Sequence, residues 1–127
     1  MTTTAPVEEK RQFPRVTCEG QVFLRTEERF EPIACTPQNV SIGGVCVRLE
    51  AMLEIGAEVD VQLVLPQFAQ PLACHGRVCW TTARMDLCDE PPIPYDVGIE
   101  FLNVSIPLRE TLRRLVAVLR GEAPPSR

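Results

Sequence analysis

Val59, Val61, Leu63 and Leu65 recur at every second position with Asp60 and Gln62 between them, the period of a strand with one buried face. Val45, Val47 and Leu49 alternate with Cys46 and Arg48 in the same way, and Val97, Ile99 and Phe101 with Asp96, Gly98 and Glu100. A longer run over residues 72–81 puts Leu72, Cys74, Val78 and Trp80 on one face, so Trp80 is expected in the core, as is Phe101. Residues 21–24 and 32–36 read as shorter strands. Breaks fall at Gly43-Gly44, at Ile55-Gly56, across 66–71 and at the cluster of Pro91, Pro92 and Pro94, where turn chemistry is concentrated. About six strands joined by short turns predict a mainly β fold, a small antiparallel barrel or sandwich.

The last element changes period. Leu108, Leu112, Leu115 and Leu119 follow helical spacing, with Ser105 placed as a cap and Pro107 in the first turn, so 107–120 is predicted as an amphipathic helix covering an open end or face of the barrel. Residues 1–9 and 121–127 hold little to bury and are expected to be flexible tails around one domain over 10–120.

The composition fits such a domain: 127 residues, 45% hydrophobic and 24% charged. A net charge of -4 argues against a nucleic-acid partner, since no contiguous basic stripe is evident. No apolar run is long enough to span a bilayer and none near the start resembles an export signal, so a cytoplasmic protein without membrane insertion is expected. The six cysteines then read as free thiols, with Cys46, Cys74 and Cys79 packed inertly among strand residues.

Catalytic chemistry finds no foothold. His75 is the single histidine, strand alternation places it on the opposite face from Cys74, and no Cys-x-x-Cys motif accompanies it, so neither a metal site nor a nucleophile with its base is expected. The chain also lacks a phosphate-binding Gly-x-x-x-x-Gly-Lys loop. It reads as a non-enzyme without a cofactor.

Two short segments carry chemistry of another kind. Lys10-Arg11-Gln12-Phe13-Pro14-Arg15 concentrates positive charge in an acidic protein, and guanidinium forks suit phosphate oxygens, the O6 and N7 edge of guanine, or stacking on a base. Asn39-Val40-Ser41-Ile42-Gly43-Gly44 offers side-chain donors and acceptors beside glycines that let a backbone approach a flat ligand. Taken singly, each segment describes an ordinary solvated face or turn.

In order, they resemble the signature of the PilZ family, Arg-x-x-x-Arg followed by Asp/Asn-x-Ser-x-x-Gly, here Arg11 and Arg15, then Asn39, Ser41 and Gly44. His75-Gly76-Arg77-Val78-Cys79-Trp80 is similar to the family's Gly-x-Val-x-Trp strand, and Val97-Gly98-Ile99-Glu100-Phe101 to its Gly-Ile/Val-x-Phe strand. The resemblance implies a six-stranded antiparallel β-barrel with a C-terminal helix. It further implies a site for cyclic di-GMP, with Arg11 and Arg15 on phosphate and guanine, Asn39, Ser41 and Gly44 on a guanine edge and its turn, Gly43 beside them, and Lys10 bearing on how many ligand molecules bind. Asn39 stands where many members have Asp and lacks the charge that strengthens such a bond.

The expected function is therefore a single-domain cyclic di-GMP receptor whose arginine segment closes over ligand and whose output passes through an unidentified protein effector, in motility, exopolysaccharide or adhesion control. The rival is an adaptor of the same fold that binds protein and no nucleotide. Either fits a monomer or a homodimer.

Overall fold

The computed structural model describes residues 15–121. Seven strands precede one helix: β1 (Val16–Thr17), β2 (Gln21–Arg25), β3 (Ile33–Val40), β4 (Gly44–Leu49), β5 (Glu58–Val64), β6 (Leu72–Ala83), β7 (Tyr95–Leu102) and α1 (Ile106–Leu119). Every pairing is antiparallel, and the sheet closes because β3 pairs with β2 along one edge and with β4 along the other. The two-residue β1 continues the β2 edge of β3, meeting Asn39 and Val40 where β2 meets 33–35. β1 and β2 thus act as one interrupted stave, and the barrel has the six expected.

Alternation forms the core. In β5, Val59, Val61 and Leu63 are buried and the residues between them exposed, and Val45, Val47, Leu49, Val97, Ile99 and Phe101 point inward from β4 and β7. β3 runs further than its sequence suggests, through Pro37 and Asn39 to Val40, because Val40 is fully buried and pairs with both Val16 and Val45. The helix begins at Ser105, whose hydroxyl accepts from the Leu108 amide, and it buries Leu112, Leu115 and Val116 in the same cluster as the barrel interior. Leu108 and Leu119 pack at the edge of that cluster.

Strict alternation fails at two β-bulges. The register of β3 against β4 shifts between Pro37 and Asn39, and that of β6 against β7 shifts between Val78 and Trp80. Each extra residue, Gln38 and Cys79, reverses which face the following side chain takes. Trp80 therefore leaves the core face shared by Gly76 and Val78 and lies on the barrel's outer surface, half-buried, a correction to the expectation that it is a core residue. Phe101 is in the core as expected.

Candidate functional site

The two bulges act together. After Gln38, Asn39 stands opposite Cys46; Cys46 stands opposite Gly98; after Cys79, Trp80 stands opposite Gly98. One continuous outer row, Asn39–Cys46–Gly98–Trp80, crosses four strands. Gly98 permits the arrangement, since a Cβ there would overlap the pyrrole edge of the Trp80 indole. The indole lies where a side chain at 98 would otherwise stand.

The turn joining β3 to β4 sits beside Asn39. Ser41 is 7% exposed, and its hydroxyl oxygen accepts from the Gly43 and Gly44 amides, both at 3.1 Å, while its own amide donates to the Gly44 carbonyl at 2.8 Å. The side chain is thus directed at its own turn, and its hydroxyl fixes the backbone that the two glycines present. Gly44 also brings β4 against β7: a Cβ there would collide with the Ile99 carbonyl. Asn39, unlike Ser41, is half-exposed on the outer row.

Charged groups flank this floor. On the side of the turn, Arg77 donates to Glu100 at 2.9 Å, and Glu100 stands opposite Gly44. On the other side, Asp96 accepts from Arg48 Nε at 2.8 Å and from Arg84 Nη1 at 2.6 Å. Burial alone would raise the Asp96 carboxyl; the hydrogen bonds from Arg48 and Arg84 outweigh it and hold the group below its ordinary value. Arg15, immediately before β1, lies close enough to Cys79 for its charge to bear on that thiol. The thiol is raised, chiefly by burial and then by Glu100, with Arg15 pulling the other way.

The structure thus brings Arg15, Asn39, Ser41, Gly43 and Gly44 to one side of the barrel, while Lys10 and Arg11 lie outside the described residues. Cys79 is exposed as a residue, although its thiol, donating to the Gly98 carbonyl at 3.3 Å, is partly buried; Cys46 is buried, and burial pushes the half-buried Cys74 thiol up to about 11. Sequence reasoning missed Trp80, Cys46 and Gly98 as parts of this surface. The signal available was Gly98 itself, a glycine in a strand interior, which marks close approach by a neighbour. Among the described residues no group of three or more His, Cys, Asp or Glu can hold a metal ion, and no helix is long and apolar enough to cross a membrane.

The family model described as "PilZ domain" matches residues 9–118, nearly the whole chain. The chain belongs to the PilZ family. No curated protein sequence matches it. Among solved structures, the PilZ domain of Escherichia coli YcgR with c-di-GMP superposes with a TM-score of 0.72 at 17% identity, covering 88% of this chain and 92% of that one. The Bacillus subtilis inhibitor of motility MotI/DgrA matches with a TM-score of 0.68 at 17% identity, over 88% of this chain and 51% of that one. The MrkH–c-di-GMP complex of K. pneumonia matches with a TM-score of 0.71 at 14% identity, over 88% and 53%. This PilZ chain spans about half the length of the latter two proteins, and the likeness to all three is one of fold.

Proposed function

We propose that the protein is a cyclic di-GMP receptor, cytoplasmic and non-enzymatic, whose PilZ domain over residues 10–120 changes conformation on binding and signals to a protein partner in motility, exopolysaccharide or adhesion control. The observation that carries this reading is the convergence of the signature's second half with Arg15: two bulges and a serine-braced turn put Asn39 and the Gly43-Gly44 backbone on one outer surface, beside Arg15. The two neighbours with bound c-di-GMP, the YcgR domain and MrkH, share its fold.

On this reading Arg11 and Arg15 contact phosphate and guanine, with Lys10 adjacent, because forked donors match both groups. Asn39 accepts from guanine N1 or N2 through its amide oxygen. Gly43 and Gly44 let the base approach the turn closely, and Ser41 acts by holding that turn. The Trp80 indole, at the other end of the row from Asn39, supplies a flat apolar surface. Binding becomes signalling only through differential affinity: the ligand favours the state in which the arginine segment lies over the turn.

The test is calorimetric titration of cyclic di-GMP into wild type, Arg15→Ala and Ser41→Ala, with GTP as control. Saturable, selective binding by wild type, lost in Arg15→Ala and weakened in Ser41→Ala, is the expected result, and the titration also gives the stoichiometry. Absence of binding by folded wild type at high micromolar ligand overturns the receptor and leaves a PilZ adaptor that binds protein alone.

A further inference from the structure

The end of the barrel opposite the β3–β4 turn is built from three connections, over 26–32, 50–57 and 84–94. They converge: Arg29 of the first, Glu50 and Ala51 of the second and Pro94 of the third line one shallow depression with Arg48. Phe30 is 93% exposed at the tip of the first, Met52 and Ile55 are exposed on the second, and Met85 and Leu87 on the third. These are five of the eight large hydrophobic side chains exposed among the described residues, so most of the exposed apolar side chains lie on the three connections of that end.

The same connections carry eight carboxylates, Glu27, Glu28, Glu50 and Glu54 among them, against two arginines, Arg29 and Arg84. They therefore hold more negative charge than the whole chain's net -4, and the rest of the chain is net basic. Arg84 is engaged by Asp86 and Asp96. A surface that is apolar at its tips and acidic around them is complementary to one kind of partner, an amphipathic protein segment with Lys or Arg beside its apolar side chains. It is mismatched to nucleic acid and to an anionic lipid surface.

We infer that this end is the docking surface for a basic amphipathic segment of a partner protein, with Phe30, Met52 and Met85 as apolar anchors and the surrounding carboxylates steering the approach. The inference gives the receptor proposed above its partner chemistry and rests on that reading for its role, while its apolar anchors lie on connections that carry none of the proposed nucleotide contacts. Exposed aromatic and methionine side chains suit adaptable anchoring, and the charge contribution weakens as salt rises.

The experiment uses the full chain and two probes, a fluorescent synthetic leucine–lysine amphipathic helix and its leucine–glutamate counterpart. Amide NMR of the labelled protein reports where each binds, and anisotropy reports affinity. Saturable shifts confined to 26–32, 50–57 and 84–94 are expected with the lysine probe alone, with affinity falling at least about fivefold in Phe30→Ser and in Glu27→Lys/Glu28→Lys. Any one of three results overturns the inference: no shifts at these connections, unchanged affinity in both variants, or concentration-dependent shifts there without peptide, which would make a second copy the occupant. Cyclic di-GMP titrated into the same proteins separates the two readings: peptide docking without nucleotide binding removes the receptor and leaves this surface, and nucleotide binding without docking does the reverse.

Discussion

At the scale of single residues, the candidate site divides its labour between a side chain that faces outward and one that faces its own backbone. Asn39 stands on the outer row, whereas the Ser41 hydroxyl is occupied by the Gly43 and Gly44 amides. A neutral amide oxygen makes a weaker bond to guanine N1 or N2 than a carboxylate does, the difference being about 1 kcal/mol. Asn39→Asp is therefore expected to tighten cyclic di-GMP roughly fivefold with its fold unchanged. Calorimetry of the two proteins at equal salt checks this, and equal or weaker affinity in Asn39→Asp would mean that Asn39 does not meet the guanine edge. The motif residues were legible because they are few, ordered and chemically distinctive. That the Ser41 hydroxyl faces its own turn was not, since a hydroxyl reads the same in sequence whichever way it points.

At the scale of elements, alternation located the staves of the barrel, and Ser105 with Pro107 located the helix start to within one residue. What alternation does not reveal is an inserted residue. Gln38 and Cys79 each add one position to a strand without any change in composition, so alternation counted from Val78 predicts Trp80 in the core when it lies outside. Both bulges are set by pairing with neighbouring strands, which is information of the assembled sheet. The element beyond β6 is fixed differently, by Asp96 of β7, which joins Arg48 of β4 to Arg84 at the start of the 84–94 connection. The Asp96 carboxyl is held below its ordinary value, and that of Asp86 is lowered to about 2, chiefly by its hydrogen bond from Arg84. A depressed folded value means stability that is present above the unfolded carboxylate value near ~4 and lost as pH falls through the folded one. Asp96→Asn is expected to destabilise the protein by about 2 kcal/mol at neutral pH, the scale of losing charged hydrogen bonds in a partly buried site. Urea midpoints of wild type and variant between neutral pH and about pH 2 should converge as the pH falls; a constant gap would show that the carboxylate's charge is not what binds the three segments.

At the scale of the whole molecule, closure of the sheet and the seat of α1 give one contiguous interior. Leu112, Leu115 and Val116 belong to the same buried cluster as Val22, Val40, Val59 and Ile99, drawn from four different strands. The helix is therefore part of the core and not an appendage. A domain of this size with a single core should unfold in one cooperative step. Leu112 is fully buried, so Leu112→Ala removes apolar contacts and leaves a cavity, which is expected to cost about 2–5 kcal/mol. Two probes see different parts of the fold: far-ultraviolet dichroism near the helical minimum follows α1, and the fluorescence of Trp80 follows the outer face of β6. Coincident denaturation curves, shifted together to lower urea in Leu112→Ala, are the outcome expected of a helix integral to the core. Curves that separate in the variant, with the dichroism lost first and the Trp80 signal unmoved, would instead make the barrel a unit that stands without its helix, and would place the β3–β4 turn and the candidate site on a scaffold independent of α1.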